Sequence, residues 1–114
     1  MEKRMSQLEQ LFFHDSIYVL GGKWKTPILV YLARNEKDRN CFLQIKHDIC
    51  GISAKMLSKE LQDFVMNKMV KRTVHNTKPI TVEYAITEHG KTFIPMVEAF
   101  IEGGMRHRTV IKSK

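Results

Sequence analysis

Disulfide frameworks, membrane spans and enzyme active sites leave marks in a sequence, and this chain has few of them. It carries two cysteines, Cys41 and Cys50, among 114 residues, too few for a disulfide scaffold. Its longest apolar run, Pro27 to Ala33, falls far short of the roughly 18 to 20 residues that span a bilayer. The charged opening MEKRMSQLEQ leads into no signal-like core, so the expectation is a cytoplasmic protein with reduced thiols and no membrane partner. Paired-carboxylate spacing, a nucleophile elbow and a phosphate-cradling Gly loop are all missing, which argues against an enzyme and calls for no cofactor. His47 and Cys50 stand at i and i+3, but nothing nearby supplies the third and fourth ligands of a zinc site, so no metal is expected.

Acidic residues are also in deficit, and unevenly so. The net charge is +7. Residues 40–80 hold seven basic against three acidic side chains, residues 81–104 one against four, and residues 105–114 four against none. A basic excess gathered on one segment and the terminus suggests a polyanion on one face. With 43% hydrophobic and 27% charged residues, the chain has the composition of an ordinary globular protein. Its length suits one domain, read as residues 1–104, followed by a basic C-terminal tail over 105–114.

Along the chain, Leu8, Leu11 and Phe12 mark a short first helix, which Gly21-Gly22 ends. Trp24, Ile28, Leu29 and Leu32 share the buried face of a second helix, with Pro27 in its first turn. Phe42, Ile45 and Ile49 give a third, two-turn helix ending at Gly51. A fourth starts after Ser53, a favoured N-cap, and places Leu57, Leu61 and Phe64 on one face. Two helices joined by about three residues that include a Gly have the form of a helix-turn-helix. After Lys68 the period changes from helical to alternating: MVKRTVH and TVEYAIT flank the turn NTKPI and form a β-hairpin. Thr87 caps a last helix, which Pro95 bends and Gly103-Gly104 stop. The fold class is therefore mostly α with a small β-hairpin wing: a winged helix-turn-helix with additional N- and C-terminal helices for dimerisation.

The stretches GGKWKTPIL (Gly21 to Leu29), CGISAKMLSKEL (Cys50 to Leu61), PITVEYAIT (Pro79 to Thr87) and EHGKTFIP (Glu88 to Pro95) resemble the HxlR-type winged helix-turn-helix transcription regulators of bacteria, within the MarR-like superfamily. The resemblance runs from about Val19 to Gly104. It implies a homodimer that binds operator DNA. Many members carry a Cys about ten residues before the Gly-Gly pair, whereas this chain has Leu11 there, and its cysteines occupy positions where the family often shows Arg (Cys41) and Pro (Cys50). The family's sensing thiol therefore does not carry over, and the small-molecule or redox effector is left open.

The polar side of the fourth helix holds Ser53, Lys55, Ser58, Lys59 and Gln62, side chains able to read base edges in a major groove or to hold phosphates. At the wing, Arg72, His75, Asn76, Thr77 and Lys78 offer donors to phosphates or a minor groove, or form a solvated hairpin tip. Arg106, Arg108, Lys112 and Lys114 form an unpaired basic tail that either adds sequence-independent attraction or stays disordered. Leu8, Leu11, Phe12, Phe93, Val97, Phe100 and Ile101 present more apolar surface than a small domain leaves to water, and are read as the dimer interface. Cys50, among lysines before a helix N-terminus, is either a reactive thiol sensor or a small packing residue. Double-stranded DNA is the expected partner; the rival is a winged helix whose basic face docks an acidic protein.

Overall fold

The computed structural model describes residues 3–113. It runs α1 (Gln7–Leu20), α2 (Lys25–Arg34), α3 (Phe42–Asp48), α4 (Ala54–Met66), β1 (Val70–His75), β2 (Thr81–Ile86), α5 (Glu88–Lys91) and α6 (Ile94–Lys112). A capping box starts α1: the Glu9 N–H donates to Ser6 Oγ and the Ser6 N–H to Glu9 Oε1, which satisfies two otherwise orphan donors. The four residues between α1 and α2 and the five between α3 and α4 are turns. In the second of these Gly51 takes φ +88°, a left-handed conformation that glycine adopts without a Cβ penalty. This turn lets α4 fold back across α3.

The core is built from one face of each helix. Ile28, Leu29 and Leu32 of α2, Ile45 of α3, Leu57, Leu61 and Phe64 of α4 and Val97 of α6 are essentially inaccessible, with Met69, Val70 and Ile86 closing the base of the hairpin. The strands pair antiparallel, Val70 opposite Ile86, Arg72 opposite Tyr84 and His75 opposite Thr81. Residues before α3 add an edge to this ribbon through the Cys41–Glu83 bridge and the Tyr84 N–H bond to the Asn40 carbonyl. Gly90 is required by close approach, since a Cβ there would lie 2.3 Å from the Met69 carbonyl oxygen.

Several sequence expectations are corrected. The third helix ends at Asp48, not Gly51. Pro95 does not bend a continuous helix: Thr87 caps the single turn of α5, and Pro95 occupies the first turn of α6, where its missing N–H would have no helical partner anyway. Gly103-Gly104 do not stop α6, which continues to Lys112. An interior Gly costs about 1 kcal/mol relative to Ala, too little to end a helix whose neighbours on both sides are good formers. Residues 105–112 are consequently helical, and Arg106 pairs with Glu102 at 2.7 Å, so it is not unpaired; Lys114 lies outside the described residues.

Val97 is corrected as well. Only 1% exposed, it is part of the domain's own core and is not free to form an interface, while Phe93 packs half-buried against that core. Leu8, Leu11, Phe12, Phe100 and Ile101 are all exposed, as are Phe13 and Ile17. Helical geometry explains the division: Val97 and Ile101 are one turn apart, but every residue of α6 from Glu98 onward is exposed, so the same stripe passes from core to surface.

Candidate nucleic-acid interface

Ser53 caps α4, its Oγ accepting from the Met56 N–H at 3.1 Å. That oxygen therefore has a structural task. Because Leu57, Leu61 and Phe64 are buried on the inner face, Lys55, Ser58 and Gln62 point outward and are exposed. These three make no side-chain hydrogen bond or ion pair among the described residues. Ser58 and Gln62 meet Arg72 of β1 and Tyr84 of β2 across a cleft of about 350 Å³ whose floor includes Val65. Helix face and wing base thus form one continuous surface with the exposed Arg72 at its edge. Tyr84 belongs to this surface although the sequence reading did not single it out; its pairing with Arg72 follows from the hairpin register.

Lys59 stands apart from that surface. Its Nζ lies 3.4 Å from Glu60 Oε1 and 3.5 Å from Asp63 Oδ2, so it leans toward the acids on the flank of the helix. Those acids, whose Coulombic pull adds to the Glu60 hydrogen bond, raise the Lys59 ammonium above its ordinary pKa. They are also held by Lys25, the first residue of α2, whose Nζ is 3.0 Å from both Glu60 Oε1 and Asp63 Oδ2. Lys25 and Glu60 are buried. No periodicity pairs residues 35 and 38 positions apart, so this cluster was not legible in the sequence.

On the wing, Asn76, Thr77 and Lys78 are exposed, and the Thr77 hydroxyl donates back to the Pro79 carbonyl at 2.7 Å. His75 is corrected: its Nε2 sits 3.1 Å from Glu83 Oε2, and Glu83 also receives Arg39 Nε at 3.0 Å. His75 therefore faces the opposite side of the ribbon from Arg72, as strand alternation requires.

The helix-turn-helix is fastened from behind by Tyr31, whose hydroxyl donates to Asp48 Oδ2 at 2.6 Å, while Gln44 Nε2 donates to Oδ1 at 2.9 Å. The Tyr31 bond, followed by His47 and Gln44, lowers the Asp48 carboxyl to about 2. Burial, then the Asp48 bond, pushes Tyr31 up to about 12. A depressed carboxylate contributes stability that is complete above its unfolded value of 3.8 and is lost as pH falls through about 2. Replacing Tyr31 by Phe should bring the Asp48 titration, followed by carboxyl-carbon NMR, back toward that ordinary value; an unmoved titration would show that the bond is not what holds it down. His47 lies against Asp48 at 3.1 Å. Among the described residues no three His, Cys, Asp or Glu side chains gather as a metal site. Cys50 is exposed and Cys41 half-buried. No helix among the described residues is long and apolar enough to cross a membrane.

Comparison with known proteins agrees with this architecture. Residues 19–111 match the family model described as HxlR-like helix-turn-helix. The chain is 30% identical over 105 residues to an uncharacterized HTH-type transcriptional regulator of Halalkalibacterium halodurans, covering 92% of this chain and 91% of that protein. It is 34% identical over 96 residues to the uncharacterized HTH-type transcriptional regulator YybR of Bacillus subtilis, covering 83% and 74%. Among solved structures, the redox regulator HypR in its reduced form superposes with a TM-score of 0.78 at 28% identity, over 90% of this chain and 98% of that one.

Proposed function

The chain belongs to the HxlR-like helix-turn-helix family and is a DNA-binding transcription regulator; from that premise we propose that it grips its operator as a homodimer, with α4 in the major groove and the hairpin on the adjoining backbone. The observation that carries this reading is the cleft in which Ser58 and Gln62 stand beside Arg72, with Lys55 on the same outward side. A helix that buries Leu57, Leu61 and Phe64 while leaving Lys55, Ser58 and Gln62 uncommitted has its donors ready for base edges and phosphates. In this arrangement Lys59 is a weaker contributor, because the acids beside it already hold its charge, and Ser53 and His75 serve the protein's own structure. Residues 3–112 act as one module in which α6 continues to its end as a helix. Two such modules place their α4 helices on half-sites about one helical turn, roughly 34 Å, apart.

The relatives are transcriptional regulators, and the proposed role needs no catalytic step and no cofactor. The protein works in the cytoplasm, where its DNA is. Following the similarity to a redox regulator, an oxidant would meet the exposed Cys50 before the half-buried Cys41.

A salt series tests the reading. The probes are a duplex selected by the protein from a random-sequence pool and an unselected duplex of equal length. Binding to both should fall steeply with salt, and the selected duplex should be preferred at every concentration. Lys78 at the wing tip should behave as a phosphate contact: Lys78→Ala weakens both duplexes alike and lowers the salt slope by about one. An unchanged slope takes the wing tip off the DNA. A wild-type chain with no preference and little salt dependence would instead favour a winged helix that docks a protein.

A further inference from the structure

The ion cluster behind α4 does something that the apolar core cannot. Leu57, Leu61 and Phe64 hold the helix against the domain, but apolar contact is non-directional and tolerates rotation about the helix axis. Hydrogen bonds weaken steeply with misalignment. Lys25 makes two of them, each 3.0 Å, to acids one turn apart on the flank of α4, and its Nζ lies 5.8 Å from the centre of the Phe64 ring. Its side chain is only 9% exposed, and that of Glu60 6%. Two attachment points separated along the axis fix the angle of a helix in a way that one cannot.

We infer that Lys25 is a positioning residue for DNA recognition: by clamping Glu60 and Asp63 it sets the rotation of α4, and so the direction in which Lys55, Ser58 and Gln62 leave the surface. The inference rests on the proposed placement of α4 in the major groove. Lys25 touches no DNA itself; it acts through the helix. The clamp also governs Lys59, which shares both acids at longer range. With Lys25 present, two cations balance two anions and Lys59 is only loosely held. Without it, the acids draw Lys59 further from the cleft. The Asp63 carboxyl is held below the usual range first of all by its Lys25 bond, in line with a clamp that is engaged in the folded chain. Replacing a buried ion pair by apolar groups of similar volume often leaves stability unchanged, so stability alone does not account for these charges.

Because Lys25→Met alone strands Glu60 in the core, the informative variant is the triple Lys25→Met, Glu60→Leu, Asp63→Asn, with Asp63→Asn alone as a second, milder variant. Both are compared with the wild type at a temperature where circular dichroism shows all three fully folded. The readout is the ratio of affinities for the pool-selected duplex and the unselected duplex, which a purely structural role would not move. We expect the ratio to fall about tenfold or more in the triple variant, the size of one well-made base contact, and by a smaller factor in Asp63→Asn, with affinity for the unselected duplex held or raised. A wild-type ratio carried over into the folded triple variant overturns the inference and leaves the DNA-binding reading standing. A wild-type ratio near one overturns both.

Discussion

Phe100→Glu should leave a folded chain that no longer dimerises. Phe100 is 52% exposed in the single chain and lines an apolar groove with Phe13, Ile17, Leu20 and Met96. Leu8, Leu11 and Phe12 add exposed apolar surface on another side of α1. So much apolar area on the two terminal helices is what a partner helix pair would cover. A carboxylate placed in this apolar groove is taken out of water when the partner docks, and an unpaired buried charge costs several kcal/mol. Every 1.4 kcal/mol is about tenfold in Kd, so the dimer constant should rise by about a thousandfold and sizing at micromolar concentration should report monomer. The core is untouched, because Val97 fills it from the same helix; circular dichroism should remain that of a folded domain. A monomeric wild type, or a dimeric variant, would contradict the proposed assembly.

Leu61→Ala acts on the other side of the molecule and on stability. Leu61 is inaccessible in the centre of the α4 packing face, and a buried Leu→Ala change costs about 2 to 5 kcal/mol through lost transfer energy and the cavity left behind. For a domain near this size each kcal/mol shifts Tm by roughly 4 to 8 °C, so the midpoint should fall by about 10 °C or more when measured at fixed protein concentration, which an oligomer requires. Wild-type melting would mean that α4 is rotated from the orientation described.

The two outcomes divide the chain as the sequence largely does. Element order and type follow from local signals: Ser53 before an apolar stripe, the change from period 3.6 to 2 after Lys68, and the Asn and Pro of the hairpin turn. The outward face of α4 was legible for the same reason, since helical geometry alone sets Lys55, Ser58 and Gln62 opposite Leu57, Leu61 and Phe64. What was not legible depends on distant partners. Val97 repeats at the spacing of an interface stripe, but whether a stripe meets the domain's own core or solvent is decided by where α6 leaves the body. Strand alternation puts His75 and Arg72 on opposite faces of the ribbon, but only the folded chain shows which face meets Glu83 and which the cleft. Lys25 looks like a solvated residue in the first turn of α2, and its role appears only when α4 brings two carboxylates 3.0 Å from its ammonium. Gly103-Gly104 carry a strong stop signal that the helix context overrode, whereas Pro95 marks the start of a new helix and not a bend in an old one.

The central claim is that α4 reads DNA with its outward face, and the affinity of the Lys55→Ala, Gln62→Ala double variant for the pool-selected duplex tests it most directly. Both side chains are exposed and outside the core, so the variant should melt as the wild type does. A well-made bidentate contact contributes about 1 to 3 kcal/mol of discrimination. At moderate salt the account predicts a loss of tenfold or more for the selected duplex, with a much smaller loss for the unselected one. Equal affinity of the double variant and the wild type for the selected duplex would contradict it.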